Sequence, residues 1–336
     1  MTQYRRPARI DDFAADSLRA LGVLAAHGQQ GRAPADPRHR RVDPAVAALI
    51  RPGPALAEVS TISMPGEVNP LALRTYRPTH DPRPLPGIVY LHGGGCVLGG
   101  LDSHDAFLRT LAAQTGHLVI SVDYRLAPEF PFPAAIDDAC AATEYIFDHA
   151  DRFCLDRSRF TLAGDGAGAA LAATVAQLTR TAAMPTHQVL INPQTRWQPA
   201  TASRMAFASG TYPTAALLNW FTECYLPDPD DRHDPLATPT LSGRLGELPP
   251  ATVITAELDP LRDEGELYAR AMSDAGVDVA HYRMPGAFHL LWLATAINSL
   301  AQRRVIAFIA RRIAGGIPCQ STPATEAPWR RRLFLT

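Results

Sequence analysis

A few short stretches of this chain carry residues suited to chemistry at an acyl or carbonyl group. Phe160 to Ala170 reads FTLAGDGAGAA, a run that looks like a buried strand turning on glycines into an Ala-rich helix. The pattern G-x-S-x-G sets a serine at the apex of such a turn, because the flanking glycines let the backbone fold tightly and leave the hydroxyl exposed. Here Gly164 and Gly168 hold the frame, and Gly166 stands at the apex where the nucleophile belongs. His92-Gly93-Gly94-Gly95 follows the apolar run Gly87 to Leu91. Glycines after a buried strand expose consecutive backbone N–H groups, which can solvate an anionic oxygen. Asp259 follows the apolar run Ala251 to Ala256, and His289 follows Ala280 to Met284, both where loops at strand ends carry function. Each also has a plain reading alone: the triplet as a turn, Asp259 as a helix N-cap, His289 as a packed histidine.

The elements that must position these residues follow from periodicity. Leu71 to Pro78 alternates as a strand, Gly87–His92 and Leu118–Val122 are the continuous apolar runs of strands covered on both faces, and Phe160 onward, Gln188–Asn192 and Ala251–Ala256 read as further strands. Helical patterns lie between them at Asp102–Gln114, Ala134 to about His149, the stretch after Gly166, and Asp263–Ala275. This alternation predicts a mostly parallel α/β sheet with its ligand site beyond the carboxyl ends of the strands. Residues 1 to about 50 hold two further helical patterns, Asp11–His27 and Asp43–Ile50, around the Arg/Pro-rich stretch Gly31–Arg41, and read as an arm. Residues 196 to 235 break the rhythm with Met205, Phe207, Leu217, Leu218, Trp220 and Phe221, and read as an insertion that helps cap the pocket.

Composition excludes several classes. The 336 residues are 46% hydrophobic and 19% charged with a net charge of −1, enough for a large core and without the basic footprint of a nucleic-acid binder. No apolar run approaches the ~18 residues of a membrane span, and the first residues lead into charge and proline, so a cytoplasmic protein is expected. The five cysteines are scattered without zinc or disulfide spacing, and no metal or cofactor is expected. There is no lysine, which removes Schiff-base and lysine-base chemistry.

The order of the motifs, glycine loop, elbow, Asp, then His, is that of the α/β-hydrolase triad with its oxyanion loop. Together with Tyr124–Glu129, Phe132-Pro133-Ala134-Ala135 and Asp259-Pro260-Leu261-Arg262-Asp263, they give a chain that resembles the hormone-sensitive-lipase-like esterases, also known as bacterial HSL or α/β-hydrolase fold-3. The resemblance implies an α/β-hydrolase fold with a mostly parallel central sheet flanked by helices and an N-terminal helical cap. It implies His289 as general base, Asp259 as its orienting carboxylate, and Gly166 at the serine position. The N–H groups of Gly93, Gly94 and Ala167 would form the oxyanion hole, with His92, Gly95, Cys96, Asp165 and Leu290 around the pocket. The expected division is a cap arm over 1–55, core over 56–195, cap insertion over 196–235, core over 236–318 and a tail over 319–336.

The departures matter equally. Glycine cannot form an acyl-enzyme, Ala169 replaces a usual glycine, and Leu290 follows the histidine where glycine or alanine is usual. Three departures favour natural divergence over a single engineered change. Asp165 lies one position early to serve as nucleophile, and Cys96, an unpaired cysteine after the glycine loop, is the kind that usually behaves as a small apolar residue. Three readings stay open: noncovalent general-base chemistry on a small carbonyl or ester compound (hydrolysis, elimination, isomerisation or cyclisation), a ligand-binding pseudoenzyme, and an ordinary carboxylesterase inactivated by Ser-to-Gly substitution. In each the partner is a small uncharged organic molecule, with no nucleic acid or membrane, and both monomer and homodimer fit the sequence.

Overall fold

The apolar runs form the centre of one eight-stranded sheet in the computed structural model, which describes residues 17, 19–21, 44–179, 185–197, 200–297 and 299–314. The strands are β1 (Glu58–Met64), β2 (Leu71–Arg77), β3 (Leu85–Leu91), β4 (Leu118–Val122), β5 (Leu155–Asp165), β6 (His187–Ile191), β7 (Ala251–Leu258) and β8 (Val279–Phe288). Their order is β1-β2-β4-β3-β5-β6-β7-β8; β3 to β8 pair in parallel, and β1 and β2 add an antiparallel edge. Every residue of β4 and β6 is buried, as befits strands covered on both sides; in β6 the buried polar residues His187 and Gln188 hydrogen-bond to the Thr252 hydroxyl and the Pro249 carbonyl respectively. The expected α/β-hydrolase architecture is what the chain adopts.

The main helices are α1 (Leu101–Thr115), α2 (Ala134–Asp148), α3 (Gly166–Leu178), α4 (Ala202–Ala206), α5 (Ala215–Tyr225), α6 (Arg262–Asp274) and α7 (Ser299–Ile313). One face of the sheet is covered by α2, α3 and α6 through residues such as Ile136, Leu171 and Tyr268. The other is covered by α1 and α7 through Phe107, Leu111, Val305 and Ile309. Two registers set the site. Leu91 pairs with Gly164, which brings the glycine loop beside the elbow, and Leu258 pairs with Phe288, which brings Asp259 beside His289.

The sequence reading did not identify β1 or α7. The strand EVSTISM lies at the sheet edge and is half exposed, so it lacks the apolar run of a central strand. Most of the expected helix Asp11–His27, the stretch Gly31–Arg41 and the tail from residue 319 lie outside the described residues. Of the arm, the Ser17 hydroxyl donates to the Gly286 carbonyl at 2.6 Å and Ala20 is buried against the β8 face. The expected helix Asp43–Ile50 is a single turn, Pro44–Ala47. Among the described residues no helix is long and apolar enough to cross a membrane, and no cluster of metal-ligating side chains occurs.

Candidate active site

The apex residue Gly166 opens α3 directly after the last residue of β5, with φ +53°. The turn is tight because backbone meets backbone: a Cβ at Gly164 would lie 2.4 Å from the Gly168 carbonyl oxygen, and one at Gly168 only 2.2 Å from that of Leu91. No larger residue fits either position. Gly166 differs. A Cβ there would meet His289 Nε2 at 3.6 Å, its Cε1 at 3.9 Å and Gly93 Cα at 4.0 Å, all ordinary contacts. The apex therefore has room for a side chain and faces an imidazole nitrogen.

His289 is held at two points, and the carboxylate that holds its ring is itself fixed. Its Nδ1 lies 2.7 Å from Asp259 Oδ2, Asp259 Oδ1 accepts the Leu261 N–H at 2.8 Å, and Asn192 Nδ2 donates to the His289 carbonyl at 2.6 Å. Asp259 is fully buried and an acceptor only, so Nδ1 carries the proton and Nε2 keeps its lone pair toward the apex. Burial alone would pull the imidazole pKa down. The charge and hydrogen bond of Asp259, with a further push from Asp165, outweigh it and hold His289 above the ordinary histidine value.

The glycine loop corrects one assignment. The Gly93 N–H donates to Asp165 Oδ1 at 2.9 Å and so is spoken for. Among the described residues the N–H groups of Gly94 and Gly95 donate to nothing, and the Ala167 N–H belongs to the first turn of α3, whose amides lack intrahelical acceptors. The donors available to an oxyanion are thus Gly94, Gly95 and Ala167.

Asp165 is the hub behind this loop. Its carboxylate accepts the Tyr90 hydroxyl at 2.8 Å as well as Gly93 N–H, and His104 Nε2 lies 3.1 Å away. Burial pushes its pKa up, but His104 and the Tyr90 hydrogen bond reverse the shift and keep the group below the ordinary aspartate value. It faces the oxyanion loop, as a positioning group, and is not an alternative nucleophile.

Two residues expected around the pocket lie behind it. His92 is buried, stacks on Tyr124 at 4.3 Å, and its carbonyl accepts the Tyr124 hydroxyl at 2.5 Å, which fixes the base of the loop. Cys96 is buried among apolar neighbours with its thiol pKa pushed up by desolvation, so it is not a thiolate nucleophile. Gly95, Asp165 and Leu290 do line the pocket. It encloses about 680 Å³ including its mouth. Its walls are mostly apolar: Leu98, Leu261 and Leu293 come from the core, and Tyr212, Pro213, Leu218 and Phe221 from the segment expected as the cap insertion. Such walls suit an uncharged organic ligand.

Sequence reasoning missed Tyr90, His104, Asn192 and Gln194. Asn192 and Gln194 follow β6 at its carboxyl end, so the rule that ligands sit beyond strand ends could have found them. Tyr90 and His104 carry no such signal, since Tyr90 sits within an apolar strand and His104 within the polar first turns of a helix.

The family model described as alpha/beta hydrolase fold matches residues 88–293. The carboxylic ester hydrolase LipN of Mycobacterium tuberculosis is 41% identical over 237 residues, covering 68% of this chain and 63% of LipN. The ethyl acetate hydrolase of Pseudomonas putida is 41% identical over 224 residues, covering 65% of this chain and 70% of that protein. The crystal structure of a mutant of LAE6, an α/β hydrolase enzyme from the metagenome of Lake Arreo, Spain, superposes with a TM-score of 0.83 at 37% identity, covering 89% of this chain and 97% of that one.

Proposed function

The chain belongs to the α/β-hydrolase fold family and resembles its carboxylesterases; from that premise we propose that it hydrolyses small uncharged carboxylic esters by direct, general-base attack of water. The observation that carries this reading is the distance of 3.6 Å between His289 Nε2 and the Cβ position of a residue that has no Cβ. The space left by the missing side chain admits a water packed on the bare Gly166 backbone and hydrogen-bonded to His289 Nε2, in the role of a serine hydroxyl. His289 Nε2 removes its proton as the oxygen attacks the ester carbon, and the carbonyl oxygen gathers charge against the N–H groups of Gly94, Gly95 and Ala167. Collapse of the tetrahedral adduct breaks the bond to the alkoxy group. The proton on His289 passes to that leaving oxygen, giving an alcohol and a carboxylic acid with the imidazole restored.

Loss of the covalent route sets the rate. Without a nucleophile, an oxyanion hole and binding still give about 10³ to 10⁴ over the uncatalysed reaction. The test is hydrolysis of a short-chain chromogenic ester by the protein, by His289→Ala and by Gly166→Ala. We expect His289→Ala to lower turnover by ~10² or more, the contribution of a general base. Gly166→Ala, whose methyl intrudes on the space that water needs beside His289 Nε2, should do likewise. Turnover indifferent to both substitutions overturns the reading, and ligand binding without turnover favours a binding protein instead.

A further inference from the structure

The polar side chains lining the pocket are nearly all committed. Ser103 donates to the Gly100 carbonyl and lies 2.8 Å from His104 Nδ1, His104 Nε2 faces Asp165, and His289 is paired with Asp259. Gln194 stands apart. It lines the same pocket, is 2% exposed, and its amide Nε2 is buried with no hydrogen-bond partner. Leaving a buried amide donor unmade costs about 1–3 kcal/mol, and folded proteins pair almost all such groups. A ligand in the pocket supplies the missing partner once the carboxamide turns to present its amide, which as folded has under 1 Å² of exposed surface.

Its position is fixed by the backbone. The Gln194 N–H donates to the Gly166 carbonyl at 3.0 Å, which anchors the residue beside the elbow on the β6 side. The glycine loop follows β3, on the opposite side of β5. An ester whose carbonyl oxygen points into the Gly94/Gly95 loop therefore turns another part of itself toward Gln194. We propose that Gln194 is a specificity-determining residue that donates to a second oxygen of the substrate, selecting esters that carry a hydroxyl or oxo group close to the ester carbonyl over plain alkyl esters. The ester itself rests on the function proposed above; the preference for a second oxygen does not.

Binding of non-ester probes separates the two. Hexanamide and 3-hydroxyhexanamide are titrated by ligand-observed NMR against the unaltered protein and Gln194→Leu, a change of similar size that removes the orphan amide. We expect the hydroxy amide to bind about tenfold more tightly to the unaltered protein, the size of one neutral hydrogen bond. In Gln194→Leu the two affinities should become equal while that for hexanamide holds, and the Tm should stay level or rise. Equal affinities in the unaltered protein, no binding of either amide, or a preference that survives in Gln194→Leu overturns the assignment. So does a folded Gln194→Leu with a markedly lower Tm, which marks Gln194 as structural. Absence of ester hydrolysis with the amide preference intact counts against the hydrolytic reading alone.

Discussion

Placing one hydroxyl at position 166 should convert this protein into an efficient serine esterase. In Gly166→Ser the new Cβ sits 3.6 Å from His289 Nε2 and 4.0 Å from Gly93 Cα, so the side chain enters without moving its neighbours, and a hydroxyl one bond further out comes within hydrogen-bond reach of the imidazole. The backbone sets the cost. Gly166 has φ +53°, where an L-residue is about 1–2 kcal/mol less stable than glycine, so the Tm should fall by a few degrees. The gain is far larger: a triad nucleophile contributes on the order of 10⁶ in turnover, about 8 kcal/mol of barrier. The assay is burst and steady-state hydrolysis of a chromogenic ester series, with Gly166→Ala sharing the strain but not the oxygen, and with His289→Ala added to the serine variant. We expect a burst of acyl-enzyme in Gly166→Ser, turnover at least ~10³ above the unaltered protein, and loss of both with His289→Ala. A folded Gly166→Ser within about tenfold of the unaltered protein would refute the inference that His289, Asp259 and the glycine loop form a competent triad frame.

Other perturbations test the supports of the site. Turnover should rise with pH as His289 loses its proton, with a midpoint above 6.5 because Asp259 favours the charged form; Asp259→Asn should move that midpoint down, read from the kcat profile. Asp165→Ala leaves the Tyr90 hydroxyl and Gly93 N–H without their acceptor, at about 1–3 kcal/mol each, and calorimetry should show the loss of stability together with weaker turnover. Glu264, fully buried and bonded to Arg204 of α4 at 3.0 Å, has its carboxyl pushed up from 4.5 to about 7 by desolvation, against the pull of Arg204. Between those values the native state holds a proton that the unfolded chain has released, so this group lowers stability as pH rises through the window, by roughly 3 kcal/mol in all. Glu264→Gln should flatten that part of the stability profile measured by denaturant titration.

What the sequence made legible was the set of residues whose role depends on backbone type and order. Leu118–Val122 could be bounded to the residue because an unbroken apolar run between polar turns has one reading in a parallel sheet. The elbow, Asp259 and His289 stood out because each follows a strand pattern, where loops at strand ends carry function. The assignment of Gly93 failed for a different reason. Three adjacent glycines offer three N–H groups, and which of them face the pocket depends on Asp165, a side chain 72 positions away that captures the first. Tyr90, His104 and Gln194 were hidden for the same cause: their polar atoms matter through partners, or through the lack of one, that only the assembled sheet supplies.

The glycine at the apex also bears on how such a site can persist. A serine at φ +53° carries strain, and a strained backbone at an active site survives only where surrounding structure enforces it. Glycine adopts the same turn without that penalty, so replacing serine relieves about 1–2 kcal/mol and leaves the contacts that build the turn, at Gly164, Gly168 and Leu91, untouched. The rest of the constellation is then held by its own bonds. Asp259 still fixes His289, and Asp165 still fixes the glycine loop, whether or not the apex carries an oxygen. A change from serine to glycine at this position would thus relieve strain in this fold without dismantling the base or the oxyanion donors, and under the proposed function water is the reactant that uses both.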